Sequence, residues 1–388
     1  MKHTAALIAV LIAMFATQLV SAPPPKLIRE IDLSQITSGL PGHMPGTTFA
    51  FSPDEKWFAI TFSGYPVGPQ GRGIITHAGS SKVLLIPVHG PAGQQVQIDP
   101  GPGIWGPPRW SPNSDSFFAV GSTPNARNRL TGGTLKVWNF RGEELSHSDG
   151  PFWMNFALSG ATFGFVDSEH LLVREDSTRK SHEFKILDLH GQLVNTWTAP
   201  KQWRVVDISP DRHLLAVTDE HAFKTLVVDY PSKKVILSKD NPYQPLDIES
   251  YQGAENRVSR ELFTEGGRTL CSVGSVEFQP ARKDTFTECW DVDSGKKIAQ
   301  FGGFLGGAPA AASSHGSRLV LTNGILLRSK KTDSIFQSYG QRVVWDFRSG
   351  DEVAAWDNTS GPAPIAISSS GRYVAEANGV LLRIYELP

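Results

Sequence analysis

A closed, all-β propeller of seven four-stranded antiparallel blades is the fold class that three features of this 388-residue sequence predict. Short apolar runs bounded by turn residues recur in groups of four, as antiparallel strands do. The groups follow one another at roughly 40–60 residues, the period of a propeller blade. The seventh group lacks its fourth strand, and a lone strand near the start of the chain stands ready to supply it.

Composition agrees with many short strands. Glycine (37) and proline (27) make up about a sixth of the chain, which suits frequent turns and stays below the range of low-complexity disorder. Lysine plus arginine (37) balance aspartate plus glutamate (38), which argues against a nucleic-acid surface. Ten tryptophans and 21 phenylalanines can fill several separate cores between sheets. Residues 1–22 read as a signal peptide: Lys2 and His3, an apolar run from Ala5 to Val20, then small residues at Val20-Ser21-Ala22 before Pro23 to Pro25. A membrane anchor is the competing reading, but Thr17 and Gln18 break the run, which is short for a span. The expectation is a mature chain, 23–388, forming a single propeller domain in the periplasm or secreted, with no membrane span after cleavage.

The lone strand comes first, at 27–33, with Leu27, Arg29, Ile31 and Leu33 on one face and Ile28, Glu30 and Asp32 on the other. Unit one follows through 47–54, 56–62, 82–88 and 94–98, and unit two through 107–113, 116–122, 135–140 and 143–148. Unit three is divergent (161–167, 170–175, 183–189, 193–197), and its apolar approach at 152–159 leaves an extra strand open. Unit four, within 206–237, is the plainest: four runs, short turns, no insertion. Unit five takes 261–267, 269–273, 286–292 and 296–301; unit six takes 308–314, 318–323, 342–347 and 352–356. Unit seven has only 364–371, 372–377 and 380–387. Placing 27–33 beside 380–387 completes the last blade, so that no sheet edge or blade face is left open at a seam. Six or eight blades remain the alternatives if unit three is miscounted.

On these residues the chain resembles the WD-repeat propeller family. Trp290-Asp291 and Trp345-Asp346 end third strands, with Trp138-Asn139 as a variant. Ser-Pro-Asp or Ser-Pro-Asn turns stand at 52–54, 111–113 and 209–211, and Asp-x-x-x-Gly turns run from Asp291 to Gly295 and from Asp346 to Gly350. The likeness covers nearly the whole mature chain; it lacks the Gly-His dipeptide, and units three and seven are degenerate. What it implies is the fold, since propellers host many unrelated functions.

Cys271 and Cys289 fall on the second and third strands of unit five, equidistant from a loop centred near Pro280. Hairpin symmetry sets them opposite, within disulfide reach, and an oxidising compartment would bridge them. Reduced, buried cysteines are the alternative. No metal-ligand spacing occurs, and the histidines, including His43, His77 and His89 around unit one, are scattered. Neither a G-x-S-x-G elbow nor a P-loop is present, so no metal and no cofactor are expected.

Turns between first and second strands, and between third and fourth, are tight throughout, and a meander puts both sets at one end of the blades. The other end carries the long connections 63–81, 123–134, 240–257, 274–285 and 324–341. Long loops clustered on one rigid face are where binding function concentrates. These hold Arg72, Arg127, Arg129, Arg257, Arg260, Arg282, Lys283, Arg328, Lys330 and Lys331, interleaved with Tyr65, Tyr243, Tyr251 and Tyr339. A basic, aromatic face suits an acidic partner protein, a carbohydrate or another anionic ligand; ordinary solvated loops are the bland alternative. The leading expectation is therefore an exported, monomeric, non-enzymatic interaction scaffold. The alternative is an enzyme of lactonase, dehydrogenase or lyase type working in the central channel. For that role the first strands supply only Arg109, Asp207, Glu261 and Glu265 as polar candidates.

Overall fold

A computed structural model describes residues 22–37, 48–63, 81–91, 94–122, 133–150, 163–175, 181–209, 211–219, 221–222, 224–240, 257–278, 282–301, 310–328, 335–357, 364–378 and 380–388. The strand β1 (Lys26–Asp32) leads into a four-residue helical turn, Ser34–Thr37. Blade 1 is β2 (Thr48–Phe51), β3 (Trp57–Ser63), β4 (Ser81–Pro87) and β5 (Val96–Ile98). Blade 2 has a split inner strand, β6 (Ile104–Trp105) and β7 (Arg109–Trp110), then β8 (Ser116–Ser122), β9 (Gly133–Asn139) and β10 (Glu144–Gly150). Blade 3 is β11 (Phe163–Phe165), β12 (His170–Glu175), β13 (Ser181–Asp188) and β14 (Leu193–Pro200). Blade 4 is β15 (Trp203–Ile208), β16 (Leu214–Asp219), β17 (Lys224–Asp229) and β18 (Lys234–Asp240). Blade 5 is β19 (Arg257–Thr264), β20 (Thr269–Phe278), β21 (Arg282–Asp291) and β22 (Lys297–Phe301). Blade 6 is β23 (Ala311–Ala312), β24 (Arg318–Arg328), β25 (Ile335–Asp346) and β26 (Asp351–Asp357). Blade 7 is β27 (Ile365–Ile367), β28 (Tyr373–Asn378) and β29 (Leu381–Glu386), with β1 as its outer strand.

Seven sheets with seven blade-to-blade cores make the ring. On β16, Leu215 and Val217 pack toward blade 3 while Leu214 and Ala216 pack toward blade 5. Both faces of a blade are thus covered, which is why inner strands read as continuous apolar runs. The seam between blades 7 and 1 holds Leu33, Phe49, Phe58, Ile60, Tyr373, Leu382 and Ile384 in one core, against which Ile28 and Ile31 pack. The closing strand pairs antiparallel with β29, from Lys26 opposite Glu386 to Asp32 opposite Leu381.

The repeated turn residues have local causes. In the first turn of a blade, the serine hydroxyl accepts from the backbone five residues on: Trp57 N–H to Ser52 Oγ at 3.0 Å, Ser116 N–H to Ser111 Oγ at 3.1 Å, Tyr373 N–H to Ser368 Oγ at 3.0 Å. The Trp-Asp aspartate closes the other short turn: Asp291 Oδ1 accepts from Ser294 N–H at 2.8 Å and Asp346 Oδ1 from Arg348 N–H at 2.9 Å. Such side-chain caps stand in for backbone partners in a tight turn.

Three details depart from the sequence expectation. Residues 265–267 form a 3₁₀ turn rather than the end of a strand. The segments 274–285 and 324–341 are largely strand, with β20 and β21 paired out to Phe278–Arg282 and β24 and β25 out to Arg328–Ile335. Their polar residues, such as Ser275 and Glu277, break the apolar run, but cross-strand pairing carries the ladder past them. The segment 152–159 and residues 1–21 lie outside the described residues. Among the described residues no helix is long and apolar enough to cross a membrane.

Candidate functional site

The two ends of the ring differ in how adjacent blades are joined. At the short-turn end the turns bond to one another directly. Asp54 N–H donates to Ser114 Oγ at 2.9 Å, joining blades 1 and 2. Gly266 N–H donates to Ser314 O at 2.7 Å and Thr264 Oγ1 to Ser313 O at 2.6 Å, joining blades 5 and 6. His315 N–H donates to Ser369 O at 2.9 Å, and Ser370 N–H to Glu55 Oε1 at 2.5 Å, which carries the chain of contacts through blade 7 to blade 1. Ion pairs reinforce it, Arg212 with Asp293 at 2.6 Å and Arg348 with Glu265 at 2.5 Å. The approach is close enough to require glycine: a Cβ on Gly316 would stand 2.4 Å from Ser370 O, and one on Gly267 (φ +81°) 2.1 Å from Ser209 Oγ.

Asp211, His315 and Ser369 form a further brace between blades 4, 6 and 7, with Oδ2 to Nε2 at 2.7 Å and Nδ1 to Oγ at 2.6 Å. The order resembles a hydrolytic relay. The Ser370 N–H beside that hydroxyl is already bonded to Glu55, and the three side chains act as cross-bracing.

At the opposite end, the β20–β21 and β24–β25 hairpins extend blades 5 and 6. Of the residues predicted to form a binding face, Arg257 opens β19, Arg282 and Lys283 open β21, Arg328 ends β24 and Tyr339 lies within β25. They are strand residues, not loop residues. The register sets Arg282 opposite Phe278, Lys283 opposite Glu277 and Arg257 opposite Ser275, all at one end of blade 5. Arg328, opposite Ile335, marks the same end of neighbouring blade 6. Arg72, Arg127, Arg129 and Tyr251 lie outside the described residues, as do Tyr65, Tyr243, Lys330, Lys331, His43 and His77. His89 is bonded to Tyr373 Oη at 2.8 Å across the seam between blades 1 and 7.

The cysteines pair as hairpin symmetry requires. Cys271 stands opposite Cys289 in the β20–β21 register, the sulfurs are 2.16 Å apart, and both side chains are buried in the core shared by blades 5 and 6.

The channel candidates separate into two kinds. Glu265 is held at the short-turn end by Arg348 and by Thr269 Oγ1 at 2.5 Å. Glu261 is buried between blades 4 and 5, where Thr225 Oγ1 donates to it at 2.9 Å, Ser272 Oγ donates to its other oxygen, and Lys239 Nζ lies 3.8 Å away. Both are structural. Arg109 and Asp207 are different. Each sits two residues before the first residue of its short turn, where the other inner strands carry Ala50, Gly164, Leu262, Ala311 and Ala366. At this one inner-strand position, then, blades 2 and 4 carry a guanidinium and a carboxyl where the other blades carry apolar residues packed into the cores between blades.

Protein surrounds both groups, yet each keeps partial exposure. Asp207 Oδ2 accepts from Phe263 N–H at 2.7 Å. Burial pushes the Asp207 carboxyl up to about 6, against the opposing pull of the Phe263 amide, the Arg109 guanidinium and the Ile208 amide; Glu261 adds to the upward push. Burial also holds Arg109 below its ordinary value, with the charge of Asp207 opposing. Among the described residues no three His, Cys, Asp or Glu side chains are grouped to share a metal ion.

Comparison with known proteins bears on the fold alone. No family model matches the chain, and no curated protein matches it. A chain of the solved "Crystal Structure of Mitotic Checkpoint Complex" is similar over 95% of this chain and 98% of its own, at 12% identity and TM-score 0.58. A chain described as "KlHsv2 with loop 6CD replaced by a Gly-Ser linker" aligns over 87% and 90% at 10% identity, and its TM-score of 0.47 adds no argument. The first likeness and the seven blades fit a WD40-like propeller.

Proposed function

We propose that this chain is an exported WD-repeat-like propeller that serves as a non-enzymatic platform for an acidic partner protein. The observation that carries the reading is the pair of extended hairpins on adjacent blades 5 and 6, which set Arg257, Arg282, Lys283 and Arg328 at one end of the ring. A face built on paired strands is held in place more firmly than one built on loops. The similarity to a chain from a multiprotein complex is in keeping with such a role. The N-terminal targeting pattern supports export, and the buried disulfide suits an oxidising compartment. The mature chain then acts as a monomer.

The test uses the mature chain, biotinylated and cross-linked in an envelope or extracellular extract. The triple variant Arg282→Glu, Lys283→Glu, Arg328→Glu is expected to abolish capture of the partner without lowering the melting temperature. Undiminished capture by that variant would reject this face. For export, N-terminal sequencing of the expressed protein is expected to begin at Pro23; retention of Met1 would argue against cleavage.

A further inference from the structure

Blade 1 is finished differently from the others, and the difference leaves a cavity. Its outer strand, β5, has only three residues, Val96–Ile98, and pairs with Val83 to Leu85 of β4. The outer strands of the other blades have five to eight. Among the described residues, then, no strand lies outside β4 at Ile86 and Pro87. Arg29, on the closing strand of blade 7, takes that place in part: its Nη1 donates to Pro87 O. Beside this bond a cavity of about 490 Å³ opens between β1 and the connection from Val88 to Gln95. The Arg29 side chain lines it and is half-buried. Among the described residues no carboxylate pairs with this guanidinium. Glu30 is taken by Arg383 at 2.8 Å, and Asp32 accepts from Ser34 N–H at 2.8 Å. Burial holds the Arg29 pKa below its ordinary value, with no neighbouring charge opposing. A desolvated cation whose described partner is a single carbonyl is costly, and an anion would relieve it.

We infer that this seam cavity binds a small aliphatic carboxylate, with its head on Arg29 and its chain on Ile28, Ile31 and Val88. Arg29 keeps donors beyond Nη1, and a guanidinium meets a carboxylate through two parallel bonds. The apolar part of the wall takes the rest of the ligand. Val88 is buried there, and Ile28 and Ile31 pack on the core between blades 7 and 1. Asp32, on the same wall, disfavours a dianion: phosphate meets roughly twice the repulsion that a carboxylate meets. The volume is of the order that small-molecule sites occupy. The cavity lies on the outer rim at the short-turn end, away from the hairpins of blades 5 and 6, so its test does not depend on partner capture there.

The experiment is calorimetric titration of the mature chain with sodium hexanoate, at pH 7.5 and constant ionic strength. Acetate, inorganic phosphate and uncharged hexanamide are titrated in parallel. Hexanoate is expected to bind saturably at one site, at least about tenfold tighter than acetate because of its added methylenes. Phosphate and hexanamide are expected to bind several-fold more weakly than hexanoate. Arg29→Gln is expected to weaken hexanoate at least about tenfold, which corresponds to about 1.4 kcal/mol. Arg141→Gln, an exposed cation at a short turn of blade 2, is expected to leave it unchanged. Absence of a saturable hexanoate signal, acetate, phosphate or hexanamide binding as tightly as hexanoate, or an Arg29→Gln affinity within twofold of the parent would each overturn the inference. Should Arg29→Gln fail to fold, Gln95→Trp decides it, since Gln95 is exposed on the cavity wall. An indole there is expected to obstruct the cavity and weaken hexanoate about tenfold, and an unchanged affinity rejects the site.

Discussion

Where the short turns meet, each blade of blades 5, 6, 7 and 1 is bonded to the next through backbone amides, and two glycines let the turns approach within contact distance. At the far end, β20–β21 and β24–β25 run on as two-stranded ribbons, each held together by its own ladder. One end is joined by turn-to-turn bonds; at the other, among the described residues, blades 5 and 6 are each built out by a hairpin of their own. The lesson concerns where change is tolerated. Substitution in the short turns is transmitted to a neighbouring blade, whereas substitution on the hairpin extensions is expected to change one blade at a time.

The sharpest way to break this contrast is to remove the closing strand. Deleting residues 23–34 takes away β1 and Leu33, uncovers the core shared by blades 7 and 1, and is expected to cost on the order of 5 kcal/mol or more. Calorimetry should show a broadened, lower transition; a variant melting like the parent would mean the ring does not depend on this seam. Next comes the disulfide. Cys271→Ser with Cys289→Ser opens a link of sequence separation 18 and is expected to cost about 3 kcal/mol in chemical denaturation. Gly316→Ala forces a Cβ against the Ser370 carbonyl and should cost about 1–3 kcal/mol in the same assay. A neutral Gly316→Ala would show that the short-turn joint can yield.

A pH series probes the interior between the two ends. The Asp207 carboxyl is raised in the folded state from 3.8 to about 6, so the native chain binds this proton more tightly than the unfolded chain. Its contribution to stability is therefore fully present below about pH 4 and is lost as pH rises through about 6. The loss is at most roughly 3 kcal/mol, and the partial exposure of Asp207 screens part of it. Asp207→Asn should remove that slope, visible as the difference between the two denaturation series from pH 4 to pH 7. Parallel series would indicate an ordinary carboxylate. The smallest effect is expected from the hairpin charge reversals, which should leave stability within about 0.5 kcal/mol.

Much of this architecture was legible because its causes are local. Ser52, Ser111 and Ser368 cap their own turns, and Asp291 and Asp346 close theirs, so short motifs reported the blades directly. The partner of β29 could be found by counting, since a ring of four-stranded blades has one vacancy. Opposition of Cys271 and Cys289 followed from hairpin symmetry. The hairpin extensions were not legible: Ser275 and Glu277 look like loop residues until their cross-strand partners Thr285 and Lys283 are known. Nor was the bond from Phe263 N–H to the Asp207 carboxylate, since it depends on which residues of blades 4 and 5 lie side by side. The short-turn joints likewise involve residues about 50 to 315 positions apart.

The position of β1 has a consequence for how the molecule is made. Among the described strands it is made first, and its partner β29 emerges roughly 350 residues later. Throughout that interval blade 7 does not exist and the face of blade 1 that it will cover stays wet. Closure of the ring thus waits for blade 7, and a chain that has not yet made it exposes a broad apolar surface that a quality-control chaperone can hold.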